Sequence, residues 1–193
     1  MIDKQYFVEA LYNNPTPYHY VSNARSKLLE NGFTEITEST PFNEHHDKFF
    51  LTRDDRCICA VKMGDKRCGI ILAAHGDFPC LKSKEKSSFS NGMWKTCVAP
   101  YGGVSLSTWV DRDLRIAGRA LIKEGENEDS SQKLTEKLFS TPNKVAHIPS
   151  IGIRLAQRNS LSPTFNSESS FNPIISNSLD KIIANELKVD ANQ

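Results

Sequence analysis

The sequence predicts a mixed α/β fold in which two helices lead into a small sheet. Apolar residues recur at helical spacing near the amino terminus. Short runs rich in β-branched and aromatic residues follow, a composition typical of strands. The run 69–74 is apolar throughout, which is the pattern of a strand buried on both faces of a sheet.

The elements of the amino-terminal part follow in order. The first helix is predicted over 3–12, because Pro15 and Pro17 interrupt the pattern that follows. The second begins near Tyr18 and ends at Asn31-Gly32, where glycine supplies a left-handed cap. Three strands are then predicted, at 49–52, 57–62 and 69–74.

The sequence changes character near Lys82, so we predict domains at 1–82 and 83–193. The charged run 82–88 indicates a solvated connection. β-type stretches follow at 95–99, 105–110 and 115–123, and the acidic and serine-rich run 124–132 is predicted to be an exposed hairpin tip or a disordered insertion. A final amphipathic helix is predicted near 174–187.

Composition excludes several classes of function. The net charge is +1 over 193 residues, with acidic and basic side chains interspersed, so we expect neither nucleic acid nor a membrane as partner. No apolar run approaches the ~20 residues of a membrane span, and cytoplasm is the expected location. The odd number of cysteines, 5, favours reduced thiols. We expect them to be buried as small hydrophobes, with a zinc site built from Cys57, Cys59 and either Cys68 or Cys80 as the alternative.

The candidate site is the segment that follows the apolar run, His75-Gly76-Asp77-Phe78-Pro79-Cys80-Leu81. In extended backbone, residues i and i+2 project to the same side, so the Asp77 carboxylate can reach one ring nitrogen of His75 and leave the other for a ligand. Metal-binding histidines use such a partner to fix the tautomer. On spacing alone, the alternative is a histidine at a strand end that a neighbouring carboxylate satisfies.

Eight ordered segments carry a resemblance to a known family. They are Asn14-Pro15-Thr16-Pro17-Tyr18-His19, Leu28-Leu29-Glu30-Asn31-Gly32-Phe33-Thr34-Glu35, Lys48-Phe49-Phe50-Leu51-Thr52-Arg53, the run from His75 to Lys82, Tyr101-Gly102-Gly103, Thr108-Trp109-Val110-Asp111-Arg112-Asp113-Leu114, Ala117-Gly118-Arg119 and His147-Ile148-Pro149. The series resembles the aspartyl aminopeptidases, the M18 family of zinc metallopeptidases, from about Tyr12 to Lys188.

The resemblance implies a fold and an activity. It implies the amino-terminal part of a zinc-peptidase catalytic domain over 1–82, followed by part of a β-rich inserted domain that mediates oligomers. The family removes amino-terminal Asp or Glu from peptides, with two zinc ions per site. Carried over by position, His75 is a zinc ligand and Asp77 the catalytic-site acid that orients it. A vacuole or lysosome-like compartment is the alternative location.

The family's other metal ligands have no counterpart in these 193 residues. A catalytic zinc needs about three protein ligands, so we expect this chain to be inactive alone. It is then either the amino-terminal part of a longer enzyme or a relative without catalysis that acts in oligomerisation or regulation.

Several residues depart from the family or have two interpretations. Gly76 and Phe78 replace small hydroxyl residues, and Arg154 stands where the family has a histidine; an arginine suits an acidic substrate, but we favour a surface salt bridge. Trp109, Asp111 and Asp113 indicate either a subunit contact, which we favour, or local ion pairs. The remaining histidines, which are His19, His45, His46 and His147, are expected to be structural or in loops.

Overall fold

The computed structural model describes residues 3–41, 47–65, 69–84, 87–126, 132–150 and 171–191. The chain divides into an amino-terminal unit, Met1–Phe78, and a carboxyl-terminal unit, Pro79–Gln193. Helices and strands occur in both, so the predicted α/β class is confirmed. None of the helices in the described ranges is long and apolar enough to cross a membrane.

The amino-terminal unit begins with two capped helices, α1 (Lys4–Asn13) and α2 (Pro17–Glu30). The Asp3 carboxylate accepts a hydrogen bond from the backbone N–H of Gln5, and Pro17 occupies the first turn of α2, where its missing N–H has no helical partner. Gly32 has φ 76° just after α2, the left-handed conformation that its position predicted. Both predicted helices are confirmed.

Three strands follow the helices: β1 (Thr34–Glu35), β2 (Lys48–Arg53) and β3 (Cys57–Lys62). β2 lies in the middle of this sheet, parallel to β1 and antiparallel to β3. Phe49 and Phe50 are buried from β2, and Val21 is buried from α2. The strands predicted at 49–52 and 57–62 are therefore confirmed.

The buried strand predicted over 69–74 is wrong. The segment forms no strand, and the exposed fractions of Ile70, Ile71 and Leu72 are 89%, 92% and 92%. A run that is apolar on both sides becomes a buried strand only when neighbouring strands pair with it and both sheet faces are covered. Within the described residues, no strand pairs with this segment. His75 therefore does not lie at the end of a buried strand.

The carboxyl-terminal unit is rich in β-structure. Its elements are β4 (Cys80–Ser83), β5 (Ser88–Ser90), β6 (Met93–Lys95), β7 (Val98–Tyr101), a 3-10 helix (Leu106–Thr108), β8 (Asp113–Leu114), β9 (Ala117–Glu126), β10 (Gln132–Ser140), β11 (Ala146–His147), β12 (Ile174–Ile175) and α3 (Leu179–Leu187). The strand order of the largest sheet is β5-β6-β12-β11-β8, while β4 pairs with β7 and β9 with β10.

The described residues of this unit form two apolar clusters. Val98, Ile148 and Phe171 form the first, against which Trp109 and Leu114 pack. The second contains Ala146, Ile175 and Ile182, the last of which comes from α3. The unit thus buries apolar side chains from strands and from its helix.

Several predicted elements of this unit differ in the structure. The stretch 105–110 is a 3-10 helix and a turn, because the Thr108 hydroxyl donates to the Ser105 carbonyl at 2.7 Å and favours local hydrogen bonding over a strand. The solvated connection predicted over 82–88 is partly strand, within β4 and β5.

The predicted final helix begins later, at Leu179, since the Ser178 side chain caps it and Ile174–Ile175 pair as β12. β9 and β10 form an antiparallel hairpin; of its predicted tip, residues 127–131 lie outside the described residues.

Candidate functional site

His75 and Asp77 lie near the end of the amino-terminal unit, and their side chains are in contact. Nδ1 of His75 is 3.1 Å from Oδ1 of Asp77. The exposed fractions of the two side chains are 93% and 29%. Nε2 is accordingly open to solvent on a ring that the aspartate orients, the geometry in which a histidine can bind a metal. The contact forms although the predicted strand does not, because it involves residues only two positions apart in the chain.

A cleft of about 250 Å³ lies beside this pair, lined by Pro17, Arg56, Gly76 and Asp77. Gly76 lies close to the ring of Tyr20: a Cβ at position 76 would be 3.2 Å from its Cδ1 and 3.3 Å from its Cε1. Sequence reasoning missed Arg56, since an arginine after Asp54 and Asp55 is typical of a solvated turn. Only the fold brings that turn beside Asp77.

The described residues do not make a complete metal centre. Among them, no group of three or more His, Cys, Asp or Glu side chains is placed to hold one ion. A catalytic zinc uses about three protein ligands and an open position. His75 with Asp77 therefore fits a part of such a site.

The other histidines are placed as follows. Nδ1 of His19 is 2.7 Å from the Thr16 hydroxyl, at the start of α2, which is the structural role expected for it. His147 ends β11, with its nitrogens 3.9 Å and 4.0 Å from carboxylate oxygens of Asp111 and Asp113. His45 and His46 lie outside the described residues, as does Arg154.

The expectation of buried cysteines is wrong for most of the described thiols. Cys57, Cys59 and Cys97 are exposed, while Cys80 is half-buried, and none of these four described thiols is in a disulfide. Cys57 and Cys59 lie on β3, at one edge of the three-stranded sheet, and both residues are exposed. Cys68 lies outside the described residues.

The two acids near Trp109 pair locally. Lys144 Nζ lies 2.8 Å from Asp113 Oδ2, and this hydrogen bond lowers the pKa of Asp113. Asp111 accepts hydrogen bonds from the backbone and hydroxyl of Ser150, which lower the pKa of Asp111. Trp109 packs against the first apolar cluster. These contacts match the local interpretation; the subunit contact stays a prediction.

The fold and the site together describe an α/β protein with a candidate metal-binding loop. In this loop an aspartate orients an exposed histidine beside a cleft. The sequence model of the family "Aminopeptidase I zinc metalloprotease (M18)" matches residues 10–192. The chain belongs to this family, which confirms the resemblance.

Curated relatives agree with this assignment. The aspartyl aminopeptidase of Caenorhabditis elegans is 34% identical over 178 residues, which cover 89% of this chain and 36% of the relative. The aspartyl aminopeptidase 1 of Schizosaccharomyces pombe is 33% identical, over 88% of this chain and 36% of the relative. The chain thus spans little more than a third of the length of these relatives.

Solved structures share the fold. A chain in the structure of the Ape4 and Nbr1 complex has a TM-score of 0.83 at 27% identity, covering 96% of this chain and 41% of that one. Chaetomium thermophilum mApe1 has a TM-score of 0.79 at 25% identity, covering 96% of this chain and 47% of that one. The yeast mApe1 dodecamer, at 21% identity and a TM-score of 0.71, covers 98% of this chain and 45% of that chain and supports the fold alone.

Proposed function

We propose that this chain supplies part of the active site of an M18 aminopeptidase that removes amino-terminal Asp or Glu from peptides. In this proposal His75 is a zinc ligand and Asp77 is the acid that orients it. The remaining ligands of a two-zinc site come from polypeptide outside residues 1–193, and the 193-residue chain is inactive alone.

The contact between His75 Nδ1 and Asp77 Oδ1 carries the proposal. Ring orientation by a carboxylate raises the basicity of the other nitrogen and fixes the neutral tautomer that a metal requires. When bound, zinc supplies Lewis acidity and activates water. His75 and Asp77 contribute one ligand and its orientation, while membership of the M18 family supplies the expectation of zinc and of peptide substrates.

Assembly and location belong to the same proposal. We infer that the chain acts in a homo-oligomer, because it belongs to the M18 family, in which the inserted domain is expected to mediate oligomers. The carboxyl-terminal unit, with its strands and apolar clusters, is the proposed assembly domain. Cytoplasm is the proposed location, with a vacuole or lysosome-like compartment as the alternative.

A first experiment uses the purified 193-residue chain with an aspartyl or glutamyl chromogenic substrate and added zinc. We expect no turnover, since one histidine and one acid do not complete a hydrolytic site. Metal analysis accompanies the assay. Stoichiometric zinc together with turnover would contradict inactivity.

A second experiment tests the two roles in a complete enzyme. The region of the C. elegans aspartyl aminopeptidase that matches this chain is replaced by residues 1–193. We expect zinc-dependent hydrolysis of an aspartyl substrate, a loss of zinc with His75→Ala, and about a 10- to 100-fold loss of activity or metal affinity with Asp77→Asn. His147→Ala is the matched control and should retain zinc. If His75→Ala binds zinc as the parent chimera does, the role of His75 is wrong.

The second candidate function is a non-catalytic oligomerisation or regulatory relative. This second function is favoured by the extent of the carboxyl-terminal unit. The unit occupies Pro79–Gln193 and has its own apolar clusters. Mixing this chain with a full-length M18 enzyme separates the two. Co-assembly in which His75→Ala leaves the zinc content unchanged would favour the regulatory function. Hydrolysis above that of the full-length enzyme alone, lost with His75→Ala, would favour the enzyme.

A further inference from the structure

The cleft beside Asp77 contains a cationic side chain to which no role has been assigned. The geometry points to Arg56 as a specificity residue that binds the side-chain carboxylate of an acidic amino-terminal residue. This inference deepens the proposed function and rests on it for the identity of the ligand. Its physical basis is the placement and charge of Arg56.

Arg56 is held at the cleft by the turn between β2 and β3. Asp54 and Asp55 have φ 51° and 50°, and the backbone N–H of Arg56 donates to the Arg53 carbonyl at 3.0 Å, which closes the turn. The guanidinium carbon lies 6.0 Å from the ring centroid of Tyr18, at the outer limit of a cation–π contact. Pro17, the neighbour of Tyr18 in α2, also lines the cleft. The turn and the start of α2 therefore both contribute to the placement of Arg56 in the cleft.

The Arg56 guanidinium can accept a carboxylate ligand, whereas two other arginines of the same unit are already paired with glutamates. Arg53 pairs with Glu38 at 2.6 Å, and Arg25 pairs with Glu35 at 2.6 Å. Among the described residues, no carboxylate forms an ion pair with Arg56. Asp54 and Asp55 are exposed on the same turn. Their negative charges weaken the positive electrostatic potential at Arg56, but neither forms an ion pair with it.

The chemistry of the cleft suits a small carboxylate. An arginine presents a planar fork of N–H donors that matches the two oxygens of a carboxylate. The cleft, at about 250 Å³, is smaller than the 300–1,000 Å³ of pockets for drug-sized ligands. Asp77 lines the same cleft and is in contact with His75, which places Arg56 beside the proposed metal ligand.

The test is a metal-free NMR titration of the 193-residue chain at low salt, with aspartyl-alanine and with its neutral counterpart asparaginyl-alanine. The Nε–Hε signal of Arg56 reports the contact. We expect the acidic dipeptide to shift this signal and to bind about two- to fivefold more weakly to Arg56→Gln, the range for exposed ion pairs. Arg56→Lys should retain part of the affinity, since it keeps the charge and loses the fork.

Arg112→Gln is the matched control, because Arg112 is an exposed arginine of the other unit, and it should bind as the parent does. Undetectable binding of aspartyl-alanine would overturn the inference, as would equal binding of both dipeptides or an unchanged affinity in Arg56→Gln. Because no metal is present, the result is separate from the zinc experiments. Arg56-dependent binding, together with a chimera in which His75→Ala retains zinc, would keep this site and reject the proposed role of His75.

Discussion

Asp111 shows how one residue ties two segments of the carboxyl-terminal unit together. Its backbone N–H donates to the Ile148 carbonyl at 2.8 Å, and its carboxylate accepts the backbone N–H of Ser150 at 2.9 Å and the Ser150 hydroxyl. Asp111 itself has φ 54°, a left-handed conformation that aspartate and asparagine tolerate better than most residues. The chain is therefore fixed at 148–150 by the turn at Asp111.

The hydrogen bonds from Ser150 lower the pKa of Asp111, and His147 lowers it further to a smaller extent. A depressed pKa in the folded state means that the carboxylate stabilises the fold above its unfolded pKa of about 3.9 and that this contribution is lost as pH falls through the folded value. We expect Asp111→Asn to lower the melting temperature at pH 7. The difference from the parent should shrink below about pH 4, as measured by thermal unfolding across pH.

Asparagine keeps the left-handed backbone accessible but replaces one of the two acceptor oxygens with an amide donor, so the pH dependence of the difference, rather than its size, reports the charge. Asp65→Asn, at an exposed position of the other unit, is the control and should not reproduce the pH dependence. A difference that is constant from pH 7 to pH 3 would show that the Asp111 charge contributes nothing.

Gly76 gives a second prediction at this scale. A methyl group at position 76 would approach the Tyr20 ring to 3.2 Å, which is tighter than ordinary packing. Tyr20 is 38% exposed, so its ring can move, and we expect Gly76→Ala to destabilise the fold by only about 1 kcal/mol, at the lower end for overpacking. Adding Tyr20→Ala should remove this effect in a double-mutant cycle of denaturant unfolding. Additive effects would mean that the two residues do not interact.

At the scale of elements, the segment 69–74 has no strand partner within the described residues. Three consecutive aliphatic side chains there are about nine-tenths exposed. Exposed apolar segments with high β-propensity promote association between chains. The same composition that predicted a buried strand thus makes the segment a site of contact when no strand within the described chain covers it.

We expect Leu72→Lys to reduce the concentration-dependent self-association of the 193-residue chain, measured by light scattering or sedimentation. Leu121→Lys is a matched control, because Leu121 is 59% exposed on β9, which belongs to the other unit. An equal reduction in both variants would indicate a general effect of added charge.

At the scale of the whole molecule, each unit contains a fully buried phenylalanine, Phe50 in the amino-terminal unit and Phe171 in the carboxyl-terminal unit. We expect Phe50→Ala and Phe171→Ala each to lower the free energy of unfolding of its own unit by about 3–5 kcal/mol, through lost burial and the cavity that remains. Hydrogen exchange of amides in each unit measures this. Phe89→Ala, at a side chain that is 60% exposed, is the control and should have a much smaller effect.

Local features of this protein were predictable from its sequence. The two amino-terminal helices follow from apolar spacing, proline and Gly32, and the contact between His75 and Asp77 follows from a separation of two residues. These interactions join neighbours in the chain, so they depend little on the remainder of the fold. The M18 family was recognisable for a related reason, since its ordered motifs are properties of the chain itself.

The tertiary structure alone decided what depends on distant partners. Whether 69–74 is a buried strand depends on neighbouring strands, and the presence of Arg56 in the cleft depends on a turn that meets α2 and Gly76. Asp111 likewise holds Ser150, 39 positions away in the chain. Apolar pattern and charge specify what a segment can pair with, whereas the folded chain determines which partner is in reach.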